Sequence, residues 1–491
     1  MTKTRATSGG SGGSAPRAST VGGPGRLAAR ASTSGLDLHL DLTGARARAG
    51  LERALREAVS SGRLLPGTRL PSSRALAADL GIARNTVADS YGQLIAEGWL
   101  EARHGSGTWV AERTAAAPAT PGVPAAAQAS RTRYDLRTGV PDLSAFPSSG
   151  WLAAARKALL SAPNEALGYA DPRGLPELRA ALAGYLSRAR GVAVAPDRIV
   201  VCAGFAQGLE LLCEALRACG ATTLAVEEYG YQRHWRIAQE KGLALRALPV
   251  DAGGAVLTGL DGVQAMLLTP THQFPLGVPL ESARRRRAVD WAASTGGLII
   301  EDDYDGELRY DRPAVGALQA LAPERVVYVG TASKSLAPGL RLGWLVLPAH
   351  LVERVAEAKG AMGRLSSSLD QLTLAEFIGS GAYDRQVRRV RLDYRRRRDR
   401  LVRALRREAP QVRVTGIAAG LHAVLRLPSG QREEDLVARA ARHGLTVEAL
   451  GAYSMGSHHA GPALVVGYAT PPPHAYTTAV ARLCAVLAPG G

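Results

Sequence analysis

At 491 residues the chain is too long for one small module, and at roughly 150 residues per domain it fits about three compact units or a small one joined to a large one. With 46% hydrophobic and 21% charged residues it has the apolar surface to build packed cores, which excludes a wholly disordered protein. The net charge of +17 favours polyanionic partners without locating their site, because residues 1–113 hold only 15 basic and 9 acidic side chains. No apolar run approaches the roughly 18 residues of a bilayer span, and the N-terminus lacks the apolar stretch of a signal peptide, so a cytoplasmic protein without a membrane partner is expected.

Residues 1–35 are mostly Gly, Ser, Ala, Thr and Arg without helical or strand periodicity, and they predict a disordered tail. A module over 40–112 follows. Leu51, Leu55, Ala58 and Val59 recur at helical spacing until Gly62 and Pro66-Gly67 stop the helix. Ser72 is a predicted N-cap for a second helix carrying Leu76, Ala77 and Leu80 inward, which Gly81 ends. A third helix is predicted over 84–97, with Val87, Tyr91, Leu94 and Ile95 inward and Arg84, Asn85 and Thr86 left at its exposed start. Two short helices across a glycine turn form a helix-turn-helix whose second helix fits the major groove. Arg binds guanine bidentately, Asn binds adenine, and helix-start amides suit phosphate. Two strands, 99–103 and 108–110, around the tip His104-Gly105-Ser106-Gly107 make a wing. LPSSRALAADLGIARNTVADSYGQLIAEGWLEARHGSGTWV resembles the winged helix-turn-helix of GntR-type regulators. The resemblance implies that Arg74, Arg84, Asn85, Thr86, His104 and Gly105 touch DNA; Ala88 stands where several relatives carry a further arginine.

The Ala/Pro-rich stretch 113–133 reads as a linker to a body over 134–491. Apolar runs at 198–202, 223–226, 265–269, 297–301, 326–330 and 343–347 alternate with helical stretches, the pattern of an α/β fold with a mostly parallel sheet. The arginine-rich segment 383–408 has Val387, Val390, Tyr394, Leu401 and Leu405 on one face, so it reads as an amphipathic helix. The four cysteines, 202, 213, 219 and 484, have no histidine at ligand spacing; they are expected in the core, and no metal site is expected.

Lysine is scarce: Lys3, Lys157, Lys241, Lys334 and Lys359 are all there are. Lys334 lies in GTASKSLAPGLRLGW after an apolar run, where a primary amine forms a Schiff base that arginine does not. Upstream, an apolar strand ends in Glu301-Asp302-Asp303-Tyr304. A carboxylate for a pyridinium nitrogen, a phenol for a ring hydroxyl and a lysine for an aldehyde are what pyridoxal 5'-phosphate (PLP) requires. The ensemble resembles fold-type I aminotransferases and, with the N-terminal module, the MocR branch of regulators that fuses the two.

That resemblance implies an internal aldimine on Lys334, Asp302 at the pyridine nitrogen, Tyr304 at the ring oxygen, and Thr331 and Arg341 at the phosphate. The amides of Phe205 and Ala206, after Gly204 in VCAGFAQGLELL, suit the same phosphate. Tyr231 matches the aromatic that stacks on the ring, with Tyr229 where relatives usually have proline. Tyr169, in YADPRGLPELRAAL, would reach the phosphate of a partner subunit and implies a homodimer. THQFPLG puts Phe274 where ordinary aminotransferases have the ring-oxygen asparagine, leaving His272 or Gln273 as substitutes. No arginine precedes ALVVGYA, where aminotransferases clamp a substrate carboxylate: Gly461, Pro462 and Ala463 stand there, with His458 and His459 nearby.

The sequence therefore predicts a PLP-dependent regulator that binds double-stranded operator DNA and senses PLP or an amine. The alternatives are a working aminotransferase with an accessory DNA-binding domain and a DNA binder whose body only dimerises.

Overall fold

In the computed structural model the described residues are 28–31, 38–41, 47–112, 133–169, 171–310, 315–363, 365–456 and 461–488. The chain divides into two units, Met1–Ala127 and Gln128–Gly491. Stretch 113–132 and most of 1–35 lie outside the described residues.

In the first unit β1 (Ala28–Ala31) pairs antiparallel with β2 (Leu38–Asp41), so part of the expected tail is strand. Strand pairing rests on main-chain hydrogen bonds, and Ala-Ala-Arg-Ala carries no period-two pattern to announce it. Helix α1 (Ala47–Ser60) buries Leu51, Leu55 and Ala58; it begins four residues before its first large apolar side chain. Helix α2 (Ser73–Leu80) is capped by Ser72, whose hydroxyl accepts the Ala75 N–H at 3.2 Å, and ends at Gly81 in the left-handed region, φ 64°. Helix α3 (Arg84–Ala96) buries Val87, Tyr91 and Leu94. These side chains and Leu64, Leu70, Leu100 and Val110 form one core, with Val59 and Ile95 packed at its margin. The wing is the antiparallel pair β3 (Leu100–Arg103) and β4 (Gly107–Val110).

In the second unit β5 (Tyr134–Asp135), α4 (Ser148–Ser161) and α5 (Pro176–Arg190) lead into the sheet. Its first strands and helices are β6 (Ile199–Cys202), α6 (Phe205–Ala218), β7 (Thr223–Glu227), α7 (Gln232–Glu240) and β8 (Ala244–Leu248). A small hairpin, β9 (Val250–Asp251) with β10 (Gly254–Ala255), precedes β11 (Ala265–Leu268), α8 (Ser282–Thr295), β12 (Leu298–Asp302), β13 (Val326–Thr331) and β14 (Gly343–Val346). The seven strands lie in the order β6-β14-β13-β12-β11-β7-β8, all parallel except β14, which runs against both neighbours. Strands β6, β11, β12, β13 and β14 are buried throughout, as sheets covered on both faces require. Edge strand β8 escaped the sequence reading because most of its side chains are exposed.

Helices α9 (Ala349–Ala361), α10 (Ser368–Gly379) and α11 (Ala382–Glu408) follow. The face of α11 carrying Val387, Val390, Tyr394, Leu401 and Leu405 is buried. A second sheet, not anticipated from sequence, orders β15 (Arg413–Thr415), β16 (His422–Arg426), β19 (Ala463–Gly467) and β18 (Glu448–Ala449), all antiparallel. Two of its strands have three residues or fewer, too short for a period to register. Helix α12 (Glu433–Arg442), strand β17 (Leu445–Thr446), which pairs with β5, and helix α13 (Pro473–Leu487) complete the chain. Cys202, Cys213 and Cys484 are buried, whereas Cys219, at the end of α6, is exposed.

This topology brings the carboxyl ends of β6, β7, β11, β12 and β13 to one edge, where β14 starts: Gly343 faces Thr331 on one side and Cys202 on the other. Ligands of parallel α/β sheets bind at such an edge.

Candidate functional site

The acidic run at the end of β12 is split by strand alternation, which sends Glu301 and Asp303 to the face opposite Asp302. Glu301 accepts the backbone N–H groups of Leu318 and Gln319 at 2.8 and 2.9 Å. Asp303 accepts Arg190 Nε and Tyr328 Oη, each at 2.7 Å. Asp302 instead lines a cavity of about 300 Å³, and its Oδ1 is buried without a hydrogen-bond partner. Burial pushes its carboxyl well above the usual range, against the pull of Lys334.

Lys334 enters the same cavity three residues beyond β13 and donates from Nζ to the Gly139 carbonyl at 2.6 Å. Burial lowers its amine, opposed by Asp302 and Asp305, which favours the unprotonated, nucleophilic form. Tyr304 also lines the cavity, and burial raises its phenol well above the ordinary value. Tyr229, Tyr231, His234 and Phe274 form an aromatic wall. Tyr231 is 45% exposed and lies 5.8 Å, ring to ring, from Phe274; Phe205 packs on His234 at 4.4 Å.

Gly204 caps α6 with φ 85°, and a Cβ there would stand 3.5 Å from Arg341 Nη1, so the helix start with Phe205 and Ala206 and the guanidinium share one corner of the cavity. A Cβ on Gly343 would come within 2.9 Å of Gly204 Cα; bare backbone is required here. Arg341 is the one non-glycine residue with positive φ, 52°, among the described residues. Such a conformation costs about 1–3 kcal/mol and is kept where the surroundings hold it. Thr331 lines this corner, with its hydroxyl 2.8 Å from Ser333 Oγ and donating to Leu342 O at 3.2 Å. The orphaned Asp302 oxygen, the desolvated amine and this glycine-lined, arginine-bearing corner fit a pyridine ring bearing an aldehyde and a phosphate.

Several predicted residues lie elsewhere. Neither His272 nor Gln273 lines the cavity. His272 Nδ1 faces Asp305 at 2.8 Å, and Gln273 donates to Tyr229 O at 2.9 Å and to Phe274 O at 2.7 Å, leaving the wall to Phe274. Tyr169 is fully exposed and outside the lining. Ala463 is buried in β19 and donates its N–H to Glu433 at 2.7 Å. His458 and His459 lie outside the described residues. In the first unit Arg84, Asn85 and half-buried Thr86 open α3, Arg74 is exposed on α2, and His104 and Gly105 form the exposed wing tip. Ala88 is exposed on the next turn of α3.

The family "Bacterial regulatory proteins, gntR family" matches residues 48–110, and "Aminotransferase class I and II" matches residues 134–453. The pyridoxine biosynthesis regulator PdxR of Corynebacterium glutamicum is 35% identical over 420 residues, covering 83% of this chain and 88% of that protein. The probable rhizopine catabolism regulatory protein MocR of Rhizobium meliloti is 34% identical over 422 residues, 82% of this chain and 85% of its own length. The chain belongs to the MocR-type family of transcriptional regulators. Among solved structures, an archaeal alanine:glyoxylate aminotransferase superposes with a TM-score of 0.66 at 24% identity, over 72% of this chain and 90% of that one. The α-aminoadipate aminotransferase LysN of Thermus thermophilus gives 0.64 at 25%, over 73% and 95%. The body of this MocR-type regulator therefore has the fold-type I aminotransferase fold, which implies dependence on PLP. No helix among the described residues is long and apolar enough to cross a membrane.

Sequence reasoning missed Ser333, Gly139, His234 and Asp305. Ser333 and Asp305 sit beside residues already singled out, and His234 follows Tyr231 by one helical turn. Gly139 had no signal, since 195 residues separate it from Lys334.

Proposed function

We propose that this regulator acts in the cytoplasm as a homodimer, captures PLP at Lys334, and reports PLP or an amine to its winged helix as a change in affinity for double-stranded operator DNA. The observation that carries the reading is the buried, unpartnered Asp302 Oδ1 in the cavity that holds the Lys334 amine. When bound, the cofactor supplies an aldehyde that condenses reversibly with a primary amine. Asp302 holds a proton on the ring nitrogen, Tyr304 donates to the ring oxygen, and Tyr231 covers the ring. Arg341, Thr331 and the amides of Phe205 and Ala206 hold the phosphate. Tyr169 serves a second copy, which fits its full exposure and that of Leu152, Leu160 and Leu167 nearby in sequence.

Arg84, Asn85 and Thr86 read base edges and phosphate, with Arg74, His104 and Gly105 supporting on the backbone and wing. The coupling begins at Gly139, near the N-terminal end of the second unit: Lys334 gives up its bond to this carbonyl when it is engaged by ligand. Without an arginine at 461–463, ordinary α-amino acids bind weakly and turn over slowly, and the effector is PLP itself or an amine held by other groups. The relative named for pyridoxine biosynthesis favours PLP.

Borohydride reduction of the PLP-loaded protein followed by peptide mass mapping tests the reading. The label is expected on Lys334; a label on another lysine contradicts it. Lys334→Ala is expected to keep PLP noncovalently and to give no labelled peptide after reduction.

A further inference from the structure

His272 lies behind the cavity wall, almost completely buried, at the meeting point of three polar groups. Its Nδ1 is 2.8 Å from Asp305 Oδ2 and 3.0 Å from Tyr304 Oη. Asp305 is also a hydrogen-bond partner of the Tyr304 phenol. A carboxylate accepts and does not donate, so the proton between Asp305 and His272 sits on Nδ1.

The imidazole is clamped by backbone. A Cβ on Gly420, φ 71°, would stand 2.3 Å from Asp305 Oδ2 and 2.9 Å from His272 Nδ1, and one on Gly277, φ 73°, would stand 3.3 Å from His272 Nε2. Two glycines from different segments thus leave room for the ring and its carboxylate against bare backbone. The ring of His422 lies 5.3 Å away, with its own Nε2 3.0 Å from Pro275 O. The charged or titratable groups that face this cluster are Asp302, Glu227 and Lys334 from the cavity side and Asp305 and His422 from behind.

The phenol of Tyr304 has two competing acceptors, the Asp305 carboxylate behind it and whatever occupies the cavity in front. An Nδ1–H shared between Asp305 and the phenol oxygen weakens the carboxylate as a competitor and occupies the phenol oxygen from behind, which favours an O–H turned toward the cavity. We propose that His272, held by Asp305, is a positioning residue that aims the Tyr304 hydroxyl into the cavity and so sets the proton affinity of the cofactor's ring oxygen. This rests on the reading of the cavity as a PLP site. It also gives the HQF segment a reason: with Phe274 in the wall in place of an amide, one phenol carries the ring-oxygen contact, and its direction matters more.

A donor behind the phenol makes it a stronger donor in front, which lowers the pH at which the bound cofactor takes up its proton. In cofactor-loaded protein, His272→Leu is expected to raise the pH midpoint of the visible absorbance change by about one unit or more, a tenfold change in proton affinity. His272→Asn, whose amide N–H reaches the place of Nδ1–H, is expected to stay near wild type. A midpoint unmoved in His272→Leu, or moved equally in both variants, overturns the proposal. A visible band in wild-type protein that does not titrate overturns the proposal alone, whereas absence of any visible band overturns the cofactor reading as well. A measurement on unsubstituted, cofactor-free protein applies even where His272→Leu does not fold: in ¹⁵N-labelled protein the His272 Nδ1 is expected to carry a directly bonded proton, and an Nε2–H tautomer contradicts the proposal.

Discussion

Both units carry ion pairs at the surface, but among the described residues only the second also shuts some away from solvent. In Met1–Ala127 the proposed DNA-reading side chains stand at the surface, and ion pairs such as Arg56 with Glu97, 2.8 Å apart between α1 and the end of α3, are open to solvent. In Gln128–Gly491 cations and carboxylates meet inside: Arg190 and Asp303 are each 1% exposed, and Arg397 pairs with Asp142 under similar cover. An exposed charge costs little to place and is available to a large polyanion. A buried one is held only while its partner and the surrounding backbone are in place, and that confinement fixes the direction of a donor or the nucleophilicity of an amine.

The largest expected effect follows from removing one buried partner. Arg190→Met leaves Asp303 uncompensated in the interior and is expected to cost about 3–5 kcal/mol in denaturant unfolding of the body. A loss no greater than that of a surface variant would break the contrast. Arg84→Ala is expected to leave thermal unfolding unchanged while weakening operator binding by roughly 1–3 kcal/mol and relaxing preference at one base position, read by anisotropy on single-base operator variants. A uniform loss on every sequence with a shallower salt dependence would sharpen the picture by making Arg84 a phosphate contact.

Acidity separates the units next. Burial holds the Glu227, Glu301 and Glu307 carboxyls up to about 7, and Arg56 draws Glu97 down to about 2. A carboxyl raised on folding contributes stability that is complete below its ordinary value and lost as pH rises through the raised one. The half-buried His234 and the buried His422, held down to about 3, have their full stabilising effect above their ordinary 6.5. Scanning calorimetry is therefore expected to show the body's transition falling as pH rises from about 6.5 to about 7.5 while that of the first unit stays level. The Glu97 contribution disappears only as pH falls toward about 2. The smallest effect is expected from Glu97→Gln, a slight drop in melting temperature that added salt erases. A large, salt-insensitive drop would mean that this pair belongs with the buried ones.

The same contrast governs what the sequence disclosed. The winged helix was legible nearly to its caps because its determinants are local: Ser72 caps three residues on, Gly81 takes the left-handed turn, and Val87, Tyr91 and Leu94 repeat at helical spacing. The main sheet was legible from its buried runs, and Lys334 stood out against an arginine-rich background. What escaped was decided by tertiary meeting. No spacing tells that Gly139 receives Lys334, or that His272 turns to Asp305 while Phe274 takes the wall. The β1–β2 pair and the short strands of the second sheet escaped because main-chain bonding, not side-chain pattern, defines them.

Cofactor capture at Lys334 is expected to alter DNA binding, and a fluorescence anisotropy titration of the full chain against its own upstream DNA, with and without PLP, measures that coupling. Coupling free energies of about 1–3 kcal/mol correspond to roughly 5–150-fold, so a PLP-dependent change of that size is expected for wild type and none for Lys334→Ala. Superimposable wild-type isotherms with and without PLP, in protein shown by borohydride trapping to carry the cofactor on Lys334, would contradict the account.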